Sequence, residues 1–416
     1  MKIFKNKKRK YIIISGLVSV FAIIGLCITY YNYIPKEEPL IGAYINGTYS
    51  ETLPTKGSGY AVEKIVCDNN KNASWDYNKW GVKLSNWRTR SRCNIYFKSI
   101  ESLTLANKTF YLDEAQRCPT MNSDGTVTVT GVEDTFGYLC KAKDAYGDSY
   151  YYRGNVIDNY VLFAGKYWRI IRYNGDGTVR VIYDGTSVHA NSERSTDRQI
   201  GTSAFNSSYN DNAYFGYMYG KTGASTYVET HTNTNNSTIK TYLDTWYENN
   251  IKGTPNEQYV KDNLFCNDRS FASNNSGTGT GTSATYYRWY NFANSPNNNK
   301  MMLTCPQKND AFTVNDTSKG NGALTYGVGL VTTDEVVLAG GWRSNNSNYY
   351  LYSGQEYWTM SPSYFGGGYA FGHSVLSNGY AGDSYVGSTD GARPVLNLSS
   401  EILKNGNGTA SDPYHA

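Results

Sequence analysis

The sequence predicts an α+β fold with a largely antiparallel sheet, set behind one membrane-spanning helix and a small disulfide-stapled β module. Three observations carry this. A basic N-terminus abuts an apolar run of membrane-crossing length. Six cysteines follow it in three near-neighbour pairs. After the second pair, short strands of alternating polarity bracket two helical segments and long polar loops.

Residues 1–10 hold six cationic side chains (Lys2, Lys5, Lys7, Lys8, Arg9 and Lys10). They form a cytoplasmic stub, because basic flanks stay inside. Residues 11–31 form a signal-anchor. Tyr11 to Tyr30 contains no formal charge and is about 20 residues long, enough helix for a hydrocarbon core of about 30 Å. Tyr30, Tyr31 and Tyr33 fall at the outer interface, where amphipathic rings are favoured. A cleaved signal peptide remains the alternative, although this run is longer than an ordinary h-region and Thr29-Tyr30-Tyr31 is a poor cleavage site. Leu26 before Cys27 is wrong for a lipobox, and a prepilin reading lacks its junction glutamate. The expected location is the cell membrane, single-pass, with the C-terminal part extracellular.

The formal charge is +4. Removing the six charges of the stub leaves about −2 for the rest, so a nucleic-acid-binding footprint is missing. Aromatic residues make up 15% of the chain, with 40 Tyr against 10 Pro, which favours folded β-rich structure over disorder. The outer cysteines are Cys67, Cys93, Cys118, Cys140, Cys266 and Cys305. Their even number in an extracellular setting reads as disulfides, and nearest-neighbour pairing is expected among the fifteen possibilities. The four scattered histidines and the lack of CxxC spacing give no metal centre.

Residues 32–43 read as a stalk and 44–98 as a β-sandwich-like module. Its strands are predicted at Ala61–Val66, Trp80–Leu84 and Asn94–Phe97, and Trp75, Trp80 and Trp87 are expected in its core and rim. Residues 99–158 read as a connector stapled by Cys118 and Cys140, with a turn at Asn122–Gly125. The main domain spans 159–400. Tyr167–Ile171 and Thr178–Tyr183 flank a tight turn at Asn174–Gly177 and form the strongest predicted hairpin. Ile239, Leu243 and Trp246 recur at helical spacing behind a cap at Asn236-Ser237, predicting a helix over 238–249. Thr332 and Thr333 cap a second helix that ends at Gly340-Gly341. Short strands return between Tyr357 and Leu398, and residues 401–416 read as a tail.

Tyr167-Trp-Arg-Ile-Ile-Arg172, Thr333-Asp-Glu-Val336, Tyr357-Trp-Thr-Met-Ser-Pro362 and Gly391-Ala-Arg-Pro-Val-Leu396 occur in that order. They resemble a family of surface domains from Gram-positive, often gut, bacteria of the Firmicutes type, with a W-x-x-S-P … G-x-R-P-x-L signature. Residues 44–97 resemble a module found upstream of it, and Gly406–Tyr414 is similar to its tail. The family looks related to the C-type-lectin-like fold shared with formylglycine-generating enzymes. The resemblance implies a compact α+β domain with a loop-built binding face and no known activity. Thr359-Met360 and Ala392 depart from the family pattern. Arg393 matches it, and a structural role inside the fold is expected there.

The expected function is that of a membrane-anchored surface protein with an adhesin- or lectin-like ectodomain that binds glycan or protein and does no catalysis. Trp342, Arg343, Tyr349, Tyr364 and Tyr369 are the candidate ligand-binding residues, since rings in Gly-rich loops stack on sugars or partners. A structural or pilus-like component is the first alternative. An envelope enzyme is the second: no HExxH, GxSxG or phosphate loop occurs in context, but His373 lies near Asp383 and Asp390 in sequence. No cofactor is expected. Calcium is left open, without a sugar-binding motif to support it.

Overall fold

The computed structural model describes residues 40–54, 60–68, 73–76, 81–84, 92–99, 118–135, 137–291 and 299–416. The cytoplasmic stub, the anchor, Trp80 and Trp87 lie outside them. No helix among the described residues is long and apolar enough to cross a membrane. The chain divides into two compact units, Met1–Lys98 and Ser99–Ala416. The described structure is mostly β, with few helices and three disulfides.

In the first unit, strands Leu40–Ile45, Thr48–Ser50, Tyr60–Cys67 and Arg92–Ser99 form one mixed sheet. Ala73–Asp76 and Gly81–Leu84 make a separate antiparallel hairpin. All three predicted strand regions are present. Leu40–Ile45, read as stalk, is instead a strand running parallel to Arg92–Ser99. The module therefore begins before residue 44. Ala43, Val62, Ile95 and Phe97 of the larger sheet pack against Trp75 and Val82 of the hairpin. Trp75 meets Phe97 edge-on at 5.3 Å, and Cys67–Cys93 ties two strands of the sheet together.

The second unit contains two larger sheets. One runs in the order Val328–Gly329, Val395–Leu398, Val179–Gly185, Lys166–Tyr173, Gly147–Gly154, Gly137–Asp144, with Tyr160–Phe163 also on Lys166–Tyr173. Every pairing in it is antiparallel. The predicted hairpin lies at its centre, with Asn174–Gly177 as the turn. Gly137–Asp144 and Gly147–Gly154 correct the connector assignment, since the main sheet starts inside residues 99–158. The tail is corrected too. Tyr414 is buried and exchanges backbone hydrogen bonds with Tyr160 and Leu162, so the chain end closes onto the sheet.

The second sheet joins Thr202–Ser203, Asp390–Gly391, Tyr357–Gly366, Tyr369–Val375 and Ala381–Tyr385, with Thr285–Tyr286 added on Tyr357–Gly366. Helix α1 is Tyr227–Thr230, α2 is Thr238–Asn250 and α3 is Thr333–Leu338. Ser237 caps α2 by accepting from Lys240 N, and Ile239, Leu243 and Tyr247 bury one face at helical spacing. Thr332 and Glu335 form a capping box on α3. At its far end Arg153 donates to the carbonyls of Val337 and Leu338 at 2.8 and 3.0 Å. Cys118–Cys140 and Cys266–Cys305 complete the predicted disulfide set.

Candidate functional site: an aromatic ribbon

Strand side chains alternate between faces. On Tyr357–Gly366 and its neighbours one face is core: Thr285, Phe365, Ala370 and Ser384 are buried. The other face carries rings. The register places Tyr286 opposite Tyr364, Tyr364 opposite Phe371, and Phe371 opposite Tyr385. Four aromatics thus form one row across four strands. Tyr364 and Phe371 are stacked at 4.5 Å with planes 5° apart, and Phe371 lies 6.3 Å from Tyr385.

The row extends at both ends. Tyr290 stacks on Tyr286 at 3.9 Å and contacts Tyr364 at 5.1 Å. At the other end Tyr369 and Tyr209 stack at 5.3 Å, and both meet Tyr385 edge-on. Tyr369 is delivered there by the Gly367-Gly368 turn, where φ is +63° and +85°, a conformation L side chains rarely adopt. Ala370 N donates to Tyr209 O at 2.8 Å, which holds the Tyr209 loop alongside. All seven rings are half-buried or exposed, with Tyr369 at 45% and Tyr209 at 39%. Aromatic pairs of this kind are worth about 0.5–1.5 kcal/mol beyond area burial, so the ribbon is held in shape before anything binds.

One charge lies within it. Asp383 is exposed, and His373 Nε2 is 3.1 Å from its Oδ1 and 3.3 Å from Trp289 O. With two acceptors facing Nε2, that nitrogen carries the proton. Burial lowers the His373 pKa, so the ring is neutral at physiological pH. Burial, then the Asp383 charge, raises the Tyr364 pKa. The ribbon accordingly presents phenol hydroxyls around one acidic side chain.

Two of the candidate binding residues, Tyr364 and Tyr369, belong to this ribbon. Tyr349 does not: it is fully buried and is corrected to a core residue. Trp342 and Arg343 are half-buried and pack on each other, with the guanidinium 5.4 Å from the ring. Trp342 bridges to Tyr380, at the opposite end of the Ala381–Tyr385 strand from Tyr385. Sequence reading missed Tyr209, Tyr286, Tyr290, Phe371 and Tyr385. The legible signal was the Tyr369-Ala370-Phe371 alternation that follows the Gly366–Gly368 turn.

The four sequence motifs are interior. Trp168 Nε1 donates to Phe163 O and Trp358 Nε1 to Ser203 O. Arg393 donates to Asp184 Oδ1 at 2.9 Å and to the carbonyls of Tyr183 and Leu351. Arg198 also donates to Asp184, and Arg169 lies 3.9 Å from its other oxygen; all four side chains are fully buried. Glu335 of α3 accepts from Arg172 at 3.0 Å and pairs with Arg180 at 2.6 Å, while Arg288 pairs with Asp268 and Asp334. The structural role expected of Arg393 is what its contacts show.

His373 and Asp383 are paired, but His373 is 2% exposed and Asp390 lies elsewhere, beside Glu356. No group of three or more His, Cys, Asp or Glu among the described residues is arranged to hold a metal. Comparisons of the chain with protein-family models, curated proteins and solved structures find no match.

Proposed function

We propose that this chain is a membrane-anchored surface protein whose larger outer unit binds glycan along the Tyr209–Tyr290 ribbon, without catalysis. The single observation supporting this is the continuous seven-ring strip on an exposed sheet face. Flat aromatic faces pack against the C–H faces of sugar rings, and phenol hydroxyls supply hydrogen bonds at their edges. The charge near −2 outside the stub argues against a polyanionic partner. The larger unit is read as a C-type-lectin-like domain, on the motif resemblance together with its antiparallel sheets and long loops.

The test is a glycan array probed with the purified full chain in detergent. Reproducible binding that is lost in Tyr369→Ala and Tyr364→Ala and kept in Trp342→Ala supports the ribbon as the site. A blank array from folded protein whose ribbon tyrosines mediate self-association instead sinks the glycan reading in favour of a structural surface component.

A further inference from the structure

The charge near −2 outside the stub is the sum of two unlike parts. Residues 40–98, in the smaller unit, hold nine Lys or Arg against four Asp or Glu, a formal charge of +5. Residues 99–416 hold 23 against 29, a charge of −6. Such a split points to different partners for the two units. The case against a polyanionic partner therefore holds for the larger unit and reverses for the smaller one.

The sheet of the smaller unit gives that charge a face. One side is core, with Ala43, Ile95 and Phe97 buried. Alternation sends Tyr44, Arg92, Asn94 and Tyr96 to the other side. The register places Tyr49 opposite Tyr44 and Tyr44 opposite Tyr96, a row across three strands. Tyr44 and Tyr96 stack at 4.9 Å with planes 17° apart, and Tyr49 meets Tyr44 edge-on at 5.7 Å. Lys64, on strand Tyr60–Cys67, closes the row with its ammonium 4.9 Å from the centre of the Tyr96 ring. Gly42 stands opposite Asn94, and a Cβ there would lie 2.7 Å from Asn94 Oδ1, so the amide lies over bare backbone. Tyr49 is 61% exposed, and Lys64 and Arg92 are exposed as well. Among the described residues neither cation forms an ion pair.

We propose that this face of the smaller unit binds an acidic polysaccharide, a chain of sugars carrying carboxylates. Tyr49 supplies an open ring for the C–H face of one sugar. The edges of the Tyr44–Tyr96 stack supply phenol hydroxyls, and Asn94 an amide, for sugar hydroxyls. Lys64 and Arg92 receive the carboxylates, Lys64 as a point charge and Arg92 with a planar fork that matches a carboxylate bidentately. Tyr44 and Tyr96 cover each other's faces, so the row offers no run of open rings for successive bases. That favours a sugar chain over a single-stranded nucleic acid. The inference rests on the outward placement proposed above and not on the ribbon, which belongs to the other unit.

The experiment uses the full chain carrying Tyr369→Ala, which takes the ribbon out of the measurement and lets the two readings fail separately. Its binding to immobilised alginate, a polyuronate, is compared with dextran, a single-stranded DNA and polyphosphate at low salt and at about 0.15 M. Alginate is expected to bind, more weakly at the higher salt, and the other three to bind about tenfold more weakly or not at all. Adding Lys64→Ala with Arg92→Ala, or Tyr49→Ala alone, should each cost about tenfold in alginate affinity. The stub cations are common to every variant, so these ratios belong to the smaller unit. All three changed side chains are exposed, and Tyr49→Ala decides alone should the double change fail to fold. Folded chain that ignores alginate overturns the proposal, and so does alginate affinity unchanged by these substitutions. Dextran, DNA or polyphosphate bound as tightly as alginate overturns it too.

Discussion

The larger unit has two aromatic and polar regions built on opposite rules. In the interior, Arg169, Arg198 and Arg393 converge on Asp184, each guanidinium filled by carbonyls and carboxylate. On the outer face seven rings touch mainly one another and solvent. The interior carries the recognisable motifs; the ribbon carries no motif beyond a few tyrosines in Gly-rich loops. The comparison teaches that the motif residues hold the sheets closed, while the ribbon is set by which rings the strand register leaves on the outer face. Arg393, next to Pro394, was expected to pair inside the fold, and its planar fork is consumed by interior acceptors.

The sharpest way to break this contrast is Asp184→Asn. It leaves three buried guanidiniums without their carboxylate and should cost about 3–5 kcal/mol in chemical denaturation. A loss under 1 kcal/mol would show that the backbone carbonyls suffice. Removing Cys266–Cys305 by Cys266→Ala with Cys305→Ala opens a loop of 39 residues and should cost about 4 kcal/mol on the chain-entropy account. Ribbon binding measured under native conditions should survive that change.

Tyr369→Ala should do the reverse. A stability change within about 0.5 kcal/mol is expected for an exposed ring, against a roughly tenfold loss of glycan affinity. Equal losses in both would merge the two regions into one.

Asp390 gives a smaller, pH-dependent test. Its folded pKa of about 6 exceeds the ordinary 3.8, so between those values the fold holds a proton that the unfolded chain has released. Stability therefore falls as pH rises from about 4 to 6 and stays lower above it. Asp390→Asn should match wild type near pH 4 and exceed it by about 1–2 kcal/mol at pH 7, a figure reduced for the solvent that reaches the carboxylate. His231 works in the other direction. Burial, then the Arg269 charge, depresses it to about 2, so its contribution is lost as pH falls below 6.5. The difference between variants, which cancels His231, is the quantity to read. The smallest effect belongs to Trp342→Ala, for which no change in ribbon binding is expected.

Local signals were readable wherever a few adjacent residues decide the outcome. The Asn174–Gly177 turn set the central hairpin because tight turns impose their own register. Ser237 and Thr332 marked the starts of α2 and α3 because a side-chain oxygen satisfies a helix's free amides. Neighbouring cysteines paired because short loops close cheaply. Leu40–Ile45 and Tyr414 escaped, since each is defined by a partner far along the chain, Arg92–Ser99 in one case and Tyr160–Leu162 in the other. The same reason hid the ribbon and the Glu356–Asp390 pair. Residues 209, 286, 364, 371 and 385 form one surface only after non-local strand pairing fixes which faces align, and Tyr349 went to the core by that same alignment. Composition, turns, caps and cysteine spacing were thus determined by the sequence read locally. Which rings face solvent, which charges are buried and which carboxylates meet were decided by tertiary register, because burial belongs to a residue's neighbours in space and not to the residue itself.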